Sequence, residues 1–379
     1  MVISLSLTWV SSVIEMSRSY LDLSKDEEEH ALALHKESFV IDASLVAFIE
    51  GVGEDIWIDD VLEGGVTAGN ATVCMGRSFS GALRELAHYH DWAKGKAAKA
   101  LIVKKASDIE KAKKEGKHGI IFGPQDSSFL ERSLHFLKVA HQWGIRIIQI
   151  TYNFRNEVGD GCMERNDAGL SNFGVSLVEE MNKLGILVDL SHTGDRTIME
   201  TIETSKDPVS FTHVIPRSST PKEMGGYADW SSRHGDYGQF QQYSMARGIT
   251  DEALKACAEK GGMAGVTPFF VKKKGSSTLT DDLMDQVDHT VDLIGAEHVG
   301  FGSDLDYRNS VYRGAYIWKY PERIDVSYFT PMDKSWGYGW LGHMPNFTKG
   351  LVARGYSDKE VKGILGGNWV KLFKKVWGE

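Results

Sequence analysis

Two short runs rich in β-branched residues, GILVDLSH at 185–192 and VSFTH at 209–213, each close on a histidine and enclose a helical pattern from about Arg196 to Ser205. Runs of this length and type read as parallel strands covered on both faces, because only such strands tolerate near-continuous hydrophobicity. Parallel neighbours need a crossover, and the crossover is right-handed. The segment therefore forms one βαβ unit with His192 and His213 on the same C-terminal rim.

The same alternation runs through the chain. FVIDASLVAF (39–48), GGVTAGNATVCM (64–75), residues 119–122, IRIIQITYN (145–153), GGMAGVTPFF (261–270) and HVGFGSD (298–304) are six further strand candidates. Between several of them lie helical patterns, at about 80–96, at 106–115 before the stop Gly116, and at 130–143. Eight strands separated by helices are what a (β/α)8 TIM barrel requires. Residues 1–38 read as an N-terminal helical extension with Ser24 as a cap, and 39–379 as the barrel, with helices from Ser357 to Trp377 as an outer cap. Two long segments, 215–246 and 305–346, follow strands six and eight and would overhang the rim. The second is crowded with Tyr and Trp, and serves either to bury a loop or subunit contact or to cover an apolar substrate.

Composition narrows the partners. A net charge of −9 and a pI near 5.8 disfavour nucleic acid and anionic membranes, which select basic faces, and leave a small molecule as the expected partner. Cys74, Cys162 and Cys257 are odd in number and lack CxxC spacing, so neither a disulfide framework nor a thiolate zinc site is indicated. With no long apolar span and no signal-peptide pattern, a soluble cytoplasmic protein is expected.

Barrel sites are built from residues at the C-terminal ends of several strands. Here those ends carry Ser44 and Val46, Gln125, Tyr152 and Asn153, His192, His213, and Asp304 with Asp306. Two neutral imidazoles and a carboxylate on one rim suit a divalent metal, zinc being favoured by nitrogen-rich ligation, and an Asp on the last strand suits a general base. A lone histidine at a strand end is more often a packing residue than a ligand. Two on consecutive strands, followed by GSD on the eighth, bring the two readings level on pattern alone.

ITYNFRN, GLSNFG, VDLSH, PVSFTH and VGFGSD, spaced as they are, resemble the membrane (renal) dipeptidase family, peptidase family M19 of the amidohydrolase superfamily, over about 39–377. The resemblance implies a (β/α)8 barrel, hydrolysis of an amide bond in a dipeptide-like substrate through a bridged zinc pair, and a homodimer. It implies that His192 and His213 hold one zinc, that Asp304 contacts metal and handles the proton, that Tyr152, with Asn153 beside it, stands at a substrate-contacting position, and that Arg247 grips a substrate carboxylate. The chain departs from the family where the other zinc is held. The strand-one DGHND reads DASLV here, putting Ser44 and Val46 at ligand positions, and the bridging Glu is replaced by Gln125. Valine has no donor atom, and a neutral amide is a poor bridge between two cations. A single zinc on His192 and His213, completed by Asp304 or Gln125 and water, is the expectation. The alternatives on the same barrel are a lyase, isomerase or tailoring enzyme using these side chains as acid and base, metal-free or with one metal, and a non-catalytic binding protein.

Overall fold

Several of the apolar runs, such as those at 145–150 and 209–213, become short parallel strands where β-branched residues gather. The computed structural model describes residues 18–46, 56–220, 245–268, 279–306 and 341–378. Most of the expected overhangs, 221–244 and 307–340, lie outside the described residues. Among the described residues ten strands form two five-stranded sheets. The first, in the order β10-β1-β2-β4-β3, contains β1 (Ile41–Val46), β2 (Ala68–Ala71), β3 (Ala100–Ile102), β4 (His118–Phe122) and β10 (Leu305–Asp306). The second, in the order β5-β6-β7-β8-β9, contains β5 (Ile147–Gln149), β6 (Leu187–Asp189), β7 (Ser210–Val214), β8 (Met263–Val266) and β9 (Val299–Phe301).

All pairings within the sheets are parallel, with registers such as Ala71 beside Phe122 and Asp189 beside Ser210. Phe122 bridges to Ile145 ahead of β5, and β10, which continues from β9, pairs with β1 through Leu45 and Leu305. The Asp304 N–H also donates to the Ser44 carbonyl at 2.8 Å. Eight strands thus follow one another in the order the sequence predicts. The departure is β3, a three-residue extra strand on the outer edge of β4. Its apolar core, ALIV at 100–103, is flanked by lysines and too short to stand out from the preceding helix.

Capping chemistry sets the helix limits. Ser24 and Glu27 close a reciprocal capping box on the helix Lys25–Glu37. Gly185, with φ 66°, ends Asn172–Leu184 in the left-handed conformation that costs glycine least. The N-terminal helix is docked, since His35 bonds Thr348 at 2.7 Å and the Gly64 carbonyl at 2.9 Å.

Alternate strand residues enter different apolar clusters. Ile148, Val188, Phe211 and Phe301 pack with helix residues such as Leu177, Met181 and Leu254. Ile41, Ile121, Ile147 and Leu187 instead pack with Trp369 and Phe373 of the last helix, Asn368–Trp377. That helix is therefore part of the core rather than the outer cap its amphipathic sequence indicated, and both aromatic side chains are fully buried.

Candidate metal and substrate site

The strand ends bring His192, His213, Asp304, Gln125 and Ser44 together. The Nε2 atoms of His192 and His213 lie 3.0 Å apart. Asp304 Oδ1 is 3.8 Å from His213 Nε2. Ser44 Oγ and Gln125 Nε2 approach the same Asp304 oxygen at 3.5 and 3.4 Å, and Gln125 Nε2 donates to Ser44 Oγ at 3.1 Å. Tyr152 stacks on His192, with ring centroids 4.2 Å apart.

Holding these groups strains the backbone. Among the described residues six non-glycine residues have positive φ, and three of them are Asn153 (62°), His192 (62°) and Asp304 (53°). Each such residue costs on the order of 1–3 kcal/mol and persists where its surroundings over-determine it. The surroundings here are two buried carboxylates used in parallel fashion. On β1, Asp42 Oδ1 accepts from the backbone N–H groups of Ser44 (3.1 Å) and Ser303 (2.8 Å), while Oδ2 accepts from Ser303 Oγ at 2.6 Å. At the end of β6, Asp189 Oδ1 accepts from the N–H groups of Ser191 (3.1 Å) and Thr212 (2.9 Å), while Oδ2 accepts from Thr212 Oγ1 at 2.6 Å. In each case the clasped hydroxyl residue immediately precedes a site residue, Asp304 or His213.

Hydrogen bonds fix which imidazole nitrogens are free. His192 Nδ1 lies 2.7 Å from Asn153 Oδ1, an acceptor, so Nδ1 carries the proton. Thr212 donates its hydroxyl proton to Asp189, so its oxygen accepts from His213 Nδ1 at 2.9 Å. Both Nε2 atoms then present lone pairs to each other, an arrangement that a shared cation relieves. Burial first, and then the Arg247 charge, hold both imidazoles well below the usual histidine range, which keeps them neutral and able to ligate.

The two facing imidazole nitrogens are donors of the kind zinc takes, with Asp304 beside them. Val46 offers no donor, Ser44 is neutral and Gln125 turns an N–H toward Asp304. Among the described residues no group of three or more His, Cys, Asp and Glu is arranged to hold a metal, so a cation there would rest on the imidazole pair with neutral donors or water.

Arg247 lies beside this cluster. It is 4% exposed and bonds the His213 carbonyl through Nη2 at 3.4 Å, while its buried Nε and Nη1 have no hydrogen-bond partner among the described residues. Leaving buried donors unpaired costs about 1–3 kcal/mol, and more for a charged group. The Asn153 amide oxygen, expected at a substrate position, is committed to His192. Asp189, Thr212 and Ser303, which form these clasps beside His213 and Asp304, are not singled out by the sequence motifs alone. The strings DLSH and FTH carry the first two, but their pairing becomes legible only when β6 and β7 lie side by side.

Comparison with known proteins places the chain by family and fold. The family model described as membrane dipeptidase (peptidase family M19) matches residues 32–224 and 240–319. An uncharacterized dipeptidase of Schizosaccharomyces pombe is 27% identical over 269 residues, 69% of this chain and 54% of that protein. Dipeptidase 3 of Mus musculus is 25% identical over 264 residues, covering 68% and 44% respectively. The chain thus spans about half the length of these curated relatives. Among solved structures, an amidohydrolase from Pseudomonas aeruginosa is 32% identical with a TM-score of 0.74, covering 92% of this chain and 99% of its own. A metallo peptidase from Rhodobacter sphaeroides, liganded with a phosphinate mimic of the dipeptide L-Ala-D-Ala, shares the fold at 18% identity with a TM-score of 0.69, covering 90% of this chain and 100% of its own.

Proposed function

The chain belongs to the membrane dipeptidase family, peptidase family M19, and from that premise we propose that it is a hydrolase using a single zinc ion to cleave an amide or related bond in a small, carboxylated, dipeptide-like molecule. The observation that carries the reading is the approach of the two imidazole Nε2 atoms to 3.0 Å beside a buried guanidinium with two nitrogens that have no partner among the described residues.

His192 and His213 hold the metal, with Asp304 or Gln125 and water completing its shell. Zinc bound there supplies Lewis-acid polarisation of the scissile carbonyl. Arg247 takes the substrate carboxylate in a charge-assisted, two-pronged bond and thereby fixes the scissile bond over the imidazole pair. Asp304 accepts a proton from the attacking water and returns it to the departing amine, so the carbonyl carbon gains oxygen as the C–N bond breaks. Tyr152, held flat on His192, donates a hydrogen bond to the reacting group.

Among the described residues no helix is long and apolar enough to cross a membrane, and the three cysteines are free thiols. A small-molecule partner and a reducing, cytoplasmic setting fit these features. The test is elemental analysis of mildly purified protein together with amine release from a dipeptide panel. One zinc per chain and turnover abolished by chelation are expected. Two zinc ions per chain would overturn the single-ion assignment, and undiminished turnover after complete metal removal would overturn the metallohydrolase reading in favour of acid–base chemistry.

A further inference from the structure

His213 presents Nε2, rather than Nδ1, as its free nitrogen. The reason lies one strand away, in a buried carboxylate.

Asp189 is 2% exposed and sits at the end of β6. Both of its oxygens are occupied by donors: Oδ1 by the Ser191 N–H (3.1 Å), the Ser191 hydroxyl (2.9 Å) and the Thr212 N–H (2.9 Å), and Oδ2 by the Thr212 hydroxyl (2.6 Å). A hydroxyl has one proton to give. With that proton committed to Asp189, Thr212 Oγ1 can only accept from His213 Nδ1, 2.9 Å away. His213 itself is fully buried, so no solvent competes for the choice of tautomer. The Ser191 hydroxyl adds a further restraint, accepting the His213 backbone N–H at 3.3 Å.

We propose that Asp189 is a positioning residue for the metal site, acting through the Thr212 hydroxyl to hold His213 with Nδ1 protonated and Nε2 aimed at the His192 nitrogen. The inference rests on the zinc reading above and deepens it. It assigns a role to two side chains outside the cluster of His192, His213 and Asp304.

Outer partners of metal-bound histidines are worth about 10–100-fold in affinity. The experiment compares wild type with Thr212→Val, which keeps the shape and removes the hydroxyl, with Thr212→Ser, which restores it, and with Asp189→Asn. Zinc affinity is read by chelator competition, and the His213 Nδ1 proton by imidazole nitrogen–proton spectra of the zinc-loaded protein. Thr212→Val and Asp189→Asn are expected to weaken zinc binding about 10–100-fold. In Thr212→Val the Nδ1 proton also loses its protection, whereas Thr212→Ser keeps wild-type affinity and signal. Should Asp189→Asn fail to fold, the two Thr212 variants carry the test. Wild-type zinc affinity and a protected Nδ1 proton in Thr212→Val would overturn this inference alone. A wild-type protein that takes up no zinc would overturn the single-zinc reading and this inference with it.

Discussion

The Nε2 atoms of His192 and His213 face each other at 3.0 Å, while Asn153 holds the opposite nitrogen of His192 at 2.7 Å. The Asn153 amide oxygen therefore decides which His192 nitrogen is free. Removing it with Asn153→Gly, which tolerates the local φ of 62°, should weaken zinc about tenfold or more. Asn153→Asp retains an acceptor there and should keep affinity near wild type. Equal zinc affinity in all three proteins, measured by chelator competition, would remove Asn153 from the site's design.

Gln125 places an N–H 3.4 Å from Asp304 Oδ1 and 3.1 Å from Ser44 Oγ. Gln125→Glu replaces that donor with a second carboxylate close to Asp304. Metal-free protein should lose about 1–3 kcal/mol at neutral pH. The loss should shrink in acid, where the new carboxyl is protonated, and on adding zinc, which neutralises it. Denaturation with and without zinc at two pH values reads all three effects. A variant as stable as wild type without metal would show that Gln125 does not face Asp304 in solution.

Arg247 has its Nε and Nη1 buried without a partner among the described residues. Arg247→Met should raise KM about 10–100-fold for carboxylated substrates, the equivalent of one lost charge-assisted bond. Esterified or amidated analogues, which offer no carboxylate, should distinguish the two enzymes far less. If wild type and variant discriminate equally against the analogues, Arg247 binds something else.

Much of the fold and half of the site are legible in the sequence, and the reasons are local. The runs ending at His192 and His213 announce themselves by length, β-branching and a terminal histidine, and the loss of donors at Val46 needs only residue identity. What the sequence hides depends on neighbours far apart along the chain. Asp42 and Ser303 are 261 residues apart yet clasp at 2.8 and 2.6 Å. The Asp189–Thr212 clasp likewise exists only because β6 and β7 pair. The burial of Trp369 is hidden because an amphipathic terminal helix reads the same whether its apolar face caps a surface or completes a core.

Gly161 links a loop to the site by lacking a side chain. A Cβ there would come within 2.3–2.5 Å of the Asn153 and Phe154 backbone, and Gly161 pairs with Thr193 next to His192. Gly161→Ala must push Asn153 off His192, at an overpacking cost of about 1–3 kcal/mol. Weakened zinc binding alongside a lower Tm is expected. A lower Tm with unchanged zinc affinity would show that the loop yields without disturbing Asn153.

His118 on β4 is fully buried, bonding the Val66 carbonyl through Nδ1 at 2.9 Å and meeting Trp57 edge-on at 5.8 Å between ring centroids. Burial pushes its pKa down to about 4 from an ordinary 6.5. Between these values the unfolded chain binds a proton that the folded chain refuses, so stability rises with pH across the window. The full contribution is present above about pH 6.5 and is lost as pH falls toward 4, with an upper size of about 3 kcal/mol. In His118→Gln this slope should vanish while the fall contributed by other groups remains. Denaturant titrations from pH 4 to 7 on both proteins, compared as a difference, isolate the histidine's contribution. A difference that stays flat across the window would show that His118 is hydrated or already protonated in the folded protein.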